Sequence, residues 1–156
     1  MTQPPIAPQQ PAATAYAGWG ARLGALVLDS VPTAVVFGVL TVAFGDNQTT
    51  GSSVSFSLTG IPFAVYLVFT IGWFVYNWII RQGSTGQTMG KKSLGISVLG
   101  ADTRQPIGGG LTFVRQLAHI LDAMPCFIGY LWPIWDDQKR TFADMVMSTR
   151  VVKVQH

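Results

Sequence analysis

Two long apolar segments constrain this chain more than any other feature of its sequence. Residues 23–44 contain a single charged side chain, Asp29, and residues 61–80 contain none. About 20 apolar residues in an α-helix span the hydrocarbon core of a bilayer, so each segment is long enough to cross a membrane. Charged residues make up only 11% of the 156 residues, about half the share of a soluble globular domain. The sequence therefore predicts a membrane protein and argues against a cytosolic enzyme.

The basic residues indicate how the chain is oriented. Residues 81–110 and 139–156 contain four Lys or Arg each, whereas the Gly/Ser/Thr-rich loop 45–60 contains none. By the positive-inside rule both basic stretches lie in the cytoplasm. We expect a multi-pass protein of a bacterial-type plasma (inner) membrane with both termini cytoplasmic. This topology explains the net charge of +3 without nucleic-acid binding, and the expected partners are anionic lipid headgroups and either further copies of the chain or a larger membrane complex.

Segment 111–135 has a different pattern from the two spans. Its polar residues share one face of a helix, and two prolines interrupt its apolar remainder. A single crossing would place the second basic stretch outside, so we expect a Pro-broken re-entrant or interfacial amphipathic helix that returns to the cytoplasm. The runs 94–99 and 149–154, rich in β-branched residues, would then pair on that side.

The predicted fold class is an all-α membrane protein with two transmembrane helices, the broken amphipathic helix and a small cytoplasmic β element. The transmembrane helices are placed at about residues 22–44 and 61–80. Residues 1–18, which carry four prolines and no charge, are predicted to form a disordered Pro/Gln/Ala-rich cytoplasmic tail. Residues 19–154 would form one membrane domain. Val54, Phe56 and Leu58 alternate in the loop between the spans, which favours a short strand or an interfacial loop.

Several short motifs occur in a specific order around the two apolar segments. They are Arg22 with Asp29, Gly86-Gln87-Thr88-Met89-Gly90-Lys91, Arg115, Lys139-Arg140-Thr141-Phe142-Ala143-Asp144 and Thr149-Arg150-Val151-Val152. In this order the motifs resemble the RDD family of membrane proteins over residues 18–154. The resemblance implies that Arg22, Asp29 and Asp144 are signature residues. It implies no settled activity; transport of an unidentified ligand, including sodium/proton exchange for some members, has been suggested for the family. The family's usual His before the last Asp is Ala143 here.

Asp29 is the residue whose chemistry most needs an explanation. A charge deep in a bilayer costs roughly 2.5–3.5 kcal/mol or more, so its carboxyl must be neutral, paired or in a wet cavity. One interpretation is structural, with Asp29 protonated or bonded across helices to Arg115 or His119. The other is exchange of a proton for a cation in a cavity roofed by Arg115, His119 and Asp122, which form a candidate relay. The protein would then be a component of ion or small-solute transport. The alternative is an accessory or assembly subunit of a larger membrane complex.

The remaining charged residues suggest contacts rather than catalysis. We expect an Arg22–Asp144 ion pair, with Asp122 as the competing partner of Arg22. Lys91 and Lys92 would contact anionic headgroups, because the spacing of residues 86–93 does not fit a nucleotide-binding P-loop. A single cysteine excludes a multi-cysteine metal site. One histidine, His119, with two distant aspartates has no recognised metal-ligand spacing. No nucleophile with a base is recognisable, so no enzyme activity and no cofactor are expected.

Overall fold

Two long helices dominate the computed structural model of the protein, which describes residues 15–50 and 53–154. Helix α1 is Trp19–Phe44 and continues through Pro32. The second long helix, Gly60–Thr85, consists of α2 (Gly60–Phe74), a π-helical stretch (Val75–Arg81) and α3 (Gln82–Thr85). Both are long and apolar enough to cross a membrane, and α2 buries none of its residues. The two predicted spans are confirmed as helices, and the second runs to Thr85 instead of ending at residue 80.

A β-hairpin links the two long helices. Strand β1 (Asp46–Thr50) pairs antiparallel with β2 (Ser53–Ser57). Of the two structures that the alternating pattern allowed, the short strand is therefore the one present.

The segment after the second long helix is a bent helical hairpin. Helices α5 (Gly108–Ala118) and α6 (Ile120–Ala123) form its first arm, and α7 (Ile128–Leu131) with a 3₁₀ turn (Trp132–Ile134) forms its second. The arms meet at 105°. The break contains Pro125, and Cys126 and Phe127 there have positive φ angles. A helix broken at the proline, as predicted, is confirmed.

The ends of this hairpin are brought together by a small sheet. Strand β3 (Ile96–Gly100) precedes the hairpin and pairs antiparallel with β4 (Thr149–Lys153), which follows it. The predicted β element is thus confirmed. Residues 15–17 also belong to it, because the Ala17 amide donates to Val151 and the Lys153 amide donates to Ala15. This part of the predicted tail is therefore fixed against β4, which corrects the boundary at residue 18. Residues 1–14 lie outside the described residues.

The sheet and the helices before it form a structural repeat. Helix α4 (Met89–Ser93) leads into β3, and α8 (Phe142–Val146) leads into β4. Each residue of the second helix–strand pair lies 53 residues after its counterpart in the first pair. Thr88 and Thr141 cap the two short helices. In the sheet, Val98 lies opposite Val151, its own counterpart. Antiparallel pairing of equivalent residues means that a local two-fold axis passes between these two valines.

The sequence of the preceding helices is repeated as well. Residues 22–32 and 115–125 share the pattern Arg-x-x-Ala-x-x-Leu-Asp-x-x-Pro, with an offset of 93. We call residues 22–32 with 88–100 the first unit, and residues 115–125 with 141–153 the second unit. Each unit contributes an Arg and an Asp seven residues apart, on α1 in the first unit and on the α5–α6 arm in the second, followed by a capped short helix and a strand. This duplication positions the charged residues described next.

Candidate functional site

Asp29 caps the short helix α4 of its own unit. Its carboxylate is 2% exposed and accepts hydrogen bonds from Asn77 Nδ2 (2.8 Å), the Gly90 amide (2.7 Å) and the Thr88 hydroxyl (2.5 Å). The amides on either side of Gly90 also have acceptors, since the Met89 amide donates to Asn77 Oδ1 and the Lys91 amide donates to Thr88 Oγ1. A carboxylate is a favourable partner at a helix N-terminus because the first N–H groups there lack backbone acceptors.

These contacts correct the predicted partners of Asp29. The carboxylate is bonded neither to Arg115 nor to His119; it ties α1 to α4 and to the π-helical stretch that carries Asn77. Close approach of α4 to α1 requires Gly90, since a Cβ there would lie 2.1 Å from the carbonyl oxygen of Ala25.

Asp122 performs the same task in the second unit. Its Oδ1 accepts from the amides of Phe142 (2.7 Å) and Ala143 (3.3 Å) at the start of α8, and Ala143 is the counterpart of Gly90. Its Oδ2 lies 2.6 Å from His119 Nδ1. The predicted proximity of His119 and Asp122 is therefore confirmed. The suggestion that Asp122 competes for Arg22 is wrong, because both of its oxygens are occupied elsewhere.

Asp144 joins the two arginines of the repeat. It is fully buried, with Oδ2 accepting from Arg22 Nη1 at 2.5 Å and Oδ1 from Arg115 Nη2 at 2.6 Å. Thr149 Oγ1 donates to the same Oδ1 at 3.0 Å. Burial alone would raise the pKa of the Asp144 carboxyl, but Arg115 and Arg22 outweigh it and hold the pKa well below its usual range. The predicted Arg22–Asp144 ion pair is confirmed, and Arg115 is a partner that the prediction did not include.

Lys91 occupies the position of Asp144 in the first unit. The side chain is 7% exposed, donates from Nζ to Gln82 Oε1 and lies over the Trp78 ring at 4.8 Å from its centroid. Burial, reinforced by the positive charge of Arg115, lowers the pKa of Lys91 to about 7. Lys91 is therefore not the surface residue that the predicted headgroup contact assumed. Lys92 is exposed, and its contact with headgroups stays a prediction.

A cavity of about 820 Å³ lies between the two units. Its volume falls within the roughly 300–1,000 Å³ typical of small-molecule sites. Its wall is formed by α1, the second long helix, Lys91 of α4, the bent hairpin, the Thr141 cap of α8 and Val151 of β4. Most of the lining side chains are aliphatic or aromatic. Among the described residues, the wall carries Arg22, Lys91 and Arg115 but no acid.

Several hydrogen-bond donors on this wall have spare capacity. Gln116 Nε2 is buried without a partner. An ammonium has three N–H donors, and Lys91 uses one of them, on Gln82. Within residues 15–50 and 53–154, Arg115 bonds through Nε and Nη2 but not through Nη1. The arrangement is suited to a ligand that combines acceptor oxygens with an apolar part.

Sequence reasoning identified the charged residues but missed the groups that hold them. Asn77, Thr88 and Gly90 around Asp29, and Trp78 and Gln82 around Lys91, were not recognised as parts of a site. The duplicated pattern in residues 22–32 and 115–125 is the signal that could have shown Arg115 and Asp122 to be counterparts of Arg22 and Asp29.

Comparisons with known proteins give one family match and several similar curated proteins. A family model described as the RDD family matches residues 16–148. The proline-rich antigen homolog of Mycobacterium tuberculosis is 35% identical over 153 residues, which covers 89% of this chain and 64% of the relative. The proline-rich antigen of Mycobacterium leprae is 36% identical over 150 residues, covering 86% and 60%. The chain thus spans a little under two thirds of the length of these relatives. No solved structure matches it.

Proposed function

The chain belongs to the RDD family, and from that premise we propose that it is a multi-pass plasma-membrane protein that acts as a component of small-solute transport. The observation that carries the proposal is the cavity between the two repeated units, bordered by a helix pair bent by 105°. Secondary transporters commonly hold their solute at the interface of internal repeats, beside discontinuous helices. The same combination in this chain supports a solute site in the cavity.

The proposed topology has both termini in the cytoplasm. Support comes from the pairing of β3 with β4, because the two ends of the bent hairpin lie side by side and do not require a net crossing. The basic stretches 81–110 and 139–156 then share the cytoplasmic face with the sheet, as the positive-inside rule expects.

The proposal places the solute in the cavity and not at Asp29. Exchange of a cation at Asp29 would require its carboxylate to release Asn77, Thr88 and Gly90, and so to leave the N-terminus of α4 uncapped. The cavity wall offers cations and free donors without disturbing this cap. An anionic solute therefore fits the geometry better than the cation of a proton exchanger.

Uptake by proteoliposomes tests this proposal. Alkanesulfonates are suitable probes because they stay anionic at working pH and cross a bare bilayer slowly. We expect saturable uptake of octanesulfonate by the purified full chain, weaker uptake of methanesulfonate, and loss of both in Lys91→Met. Lys153→Met, which removes an exposed lysine of β4 outside the cavity, is the matched control and should transport normally.

Two results would separate the alternatives. Folded protein that takes up no more octanesulfonate than protein-free vesicles would refute the proposal. A pH change inside the vesicles after a sodium pulse, present in the wild type and absent in Asp29→Asn, would restore cation exchange at Asp29 as the mechanism.

A second candidate function is an accessory or assembly subunit of a larger membrane complex. It is favoured by Gly38 in α1 and Gly72 in α2, where an added Cβ would meet nothing within 4 Å, since small residues allow membrane helices to approach closely. A subunit should copurify with a partner or with further copies in mild detergent and should be inactive alone. Transport by the isolated chain would contradict this role.

A further inference from the structure

We infer that the occupant of the cavity is an anionic phospholipid of the cytoplasmic leaflet. Its phosphate would lie at Lys91, Arg115 and Gln116, and an acyl chain would lie along the apolar wall. The inference rests on the proposed function and names the substrate class of that same site.

Within the described residues, the fold leaves part of its positive charge without a partner. Asp29 and Asp122 cap short helices, and Asp144 pairs with both Arg22 and Arg115. At the position equivalent to Asp144 the first unit carries Lys91. No carboxylate of the described residues forms a salt bridge with Lys91. Of the three cations on this wall, Arg22 and Arg115 share one carboxylate and Lys91 has none of the described carboxylates within salt-bridge distance, so the wall carries an excess of positive charge.

Hydrogen-bond donors on this wall are still available to a ligand. The remaining N–H groups of Lys91, the Nη1 of Arg115 and the Nε2 of Gln116 are all donors. A phosphate group presents several acceptor oxygens and a negative charge, and Lys and Arg are the side chains that bind it most strongly in proteins. A neutral solute would leave this positive charge uncompensated.

The rest of the wall is mostly apolar. A free inorganic anion would not contact the hydrophobic side chains, which include Trp19, Leu23, Leu26, Phe74, Phe113, Leu117 and Leu131. The outer faces of α1 and the second long helix are exposed and apolar, so lipid surrounds the cavity if these helices span the bilayer. Basic pockets between transmembrane helices on the cytoplasmic side are known to bind acidic lipid headgroups.

Quenching of Trp78 by brominated lipids tests the inference directly. Trp78 lines the cavity beneath Lys91, and bromine quenches indole fluorescence only at contact. A variant of this chain that keeps Trp78 and replaces the other four tryptophans by Phe is placed in phosphatidylcholine vesicles. We expect brominated phosphatidylglycerol at low mole fraction to quench several-fold more than the same fraction of brominated phosphatidylcholine. Parallel measurements on the unmodified chain check that the Phe replacements leave the selectivity intact.

Variants assign the selectivity to the cavity. Lys91→Met and Gln116→Met should each reduce the preference for phosphatidylglycerol several-fold. Gln116→Met removes an amide nitrogen that has no hydrogen-bond partner among the described residues, so the fold loses no hydrogen bond from that atom. Lys153→Met should keep the full preference. Equal quenching by the two lipids in folded protein, or equal loss of preference in Lys153→Met, would overturn the inference.

A soluble competitor distinguishes a lipid headgroup from a free phosphate. Comparison with the uptake assay separates this inference from the proposed function. Relief of quenching by glycerol phosphate would show that a free headgroup suffices, which overturns a lipid occupant. Octanesulfonate uptake without lipid selectivity would leave the proposed function standing and refute the phospholipid. Absence of both would refute both.

Discussion

Replacement of Asp144 by Asn should strongly destabilise the protein. The carboxylate is fully buried and lies 2.5 Å from Arg22 and 2.6 Å from Arg115. Asn keeps the volume but removes the charge, so two guanidinium groups are left without a carboxylate. Breaking a buried ion pair in this way costs about 3–5 kcal/mol. At roughly 2–4 °C per kcal/mol for a domain of this size, the melting temperature should fall by about 6–20 °C.

The pH dependence of stability provides a second signature of the same carboxyl. Burial alone would raise its pKa, but Arg115 and Arg22 hold the pKa of Asp144 in the folded state well below the ordinary 3.8. The unfolded chain therefore binds more protons, and the stability contributed by Asp144 is complete above that ordinary value and is lost as the pH falls below it. The wild type should lose stability on acidification, and Asp144→Asn should lose less.

Thermal unfolding in detergent, followed by far-ultraviolet circular dichroism from neutral pH to about pH 3, measures both effects. Asp102→Asn makes the same chemical change at an exposed residue and should leave the melting temperature close to that of the wild type. An Asp144→Asn protein that melts within about 2 °C of the wild type would refute the ion-pair argument.

A double variant distinguishes a shared carboxylate from a simple pair. Exchange of the two charges in Arg22→Asp with Asp144→Arg would restore stability if Asp144 paired with Arg22 alone, as the sequence predicted. In the structure Asp144 also bonds Arg115, so the exchanged arginine would face a second arginine. We therefore expect no rescue, and recovery to wild-type stability would contradict the three-residue network.

Three further expectations concern other parts of the network. Gly90→Ala should destabilise by about 1–3 kcal/mol, because its Cβ would lie 2.1 Å from a backbone oxygen of α1; Gly38→Ala, which meets no neighbour, should melt no lower than the wild type. Asp29→Ala should speed hydrogen exchange at the Gly90 amide by removing its acceptor, and unchanged exchange measured by mass spectrometry would contradict the capping role. Because burial and Arg115 lower the pKa of Lys91 from 10.5 to about 7, the unfolded chain binds more protons between these values, so stability should rise with pH across the interval. Lys91→Met should flatten that rise in denaturant titrations, and equal slopes for the variant and the wild type would refute the assignment.

The parts of the fold that the sequence predicted correctly are those that depend on local properties. Length and hydropathy are sums over neighbouring residues, so the predicted spans correspond closely to α1 (Trp19–Phe44) and the helix Gly60–Thr85. A proline removes a backbone donor where it stands, and Pro125 lies in the break between the helical arms. The expected pairing of β3 with β4 rested on two short runs rich in β-branched residues, which could pair only on the same side of the membrane.

The partners of the charged residues could not be predicted in the same way. Asp29 contacts Thr88 and Gly90, which are 59 and 61 residues away, and helical periodicity shows only which side chains share a face. The expected contact of Asp29 with Arg115 is therefore not formed, and Arg115 bonds Asp144 instead. The π-helical stretch that carries Asn77 to Asp29 also has no simple signature in the sequence.

The internal repeat separates charges that serve the fold from a charge that needs another explanation. Arg22 and Arg115 bind the same carboxylate, and Asp29 and Asp122 cap equivalent helices, so stabilisation of one shared architecture accounts for each pair. At the remaining charged position the counterparts have opposite sign: the carboxylate of Asp144 is surrounded by donors, whereas the ammonium of Lys91 has one acceptor and an open cavity. A buried cation without a carboxylate partner costs stability. The second unit shows that the architecture accepts an acid at this position. Stabilisation of the fold therefore does not explain why the first unit has a lysine there, whereas binding of an anionic ligand does.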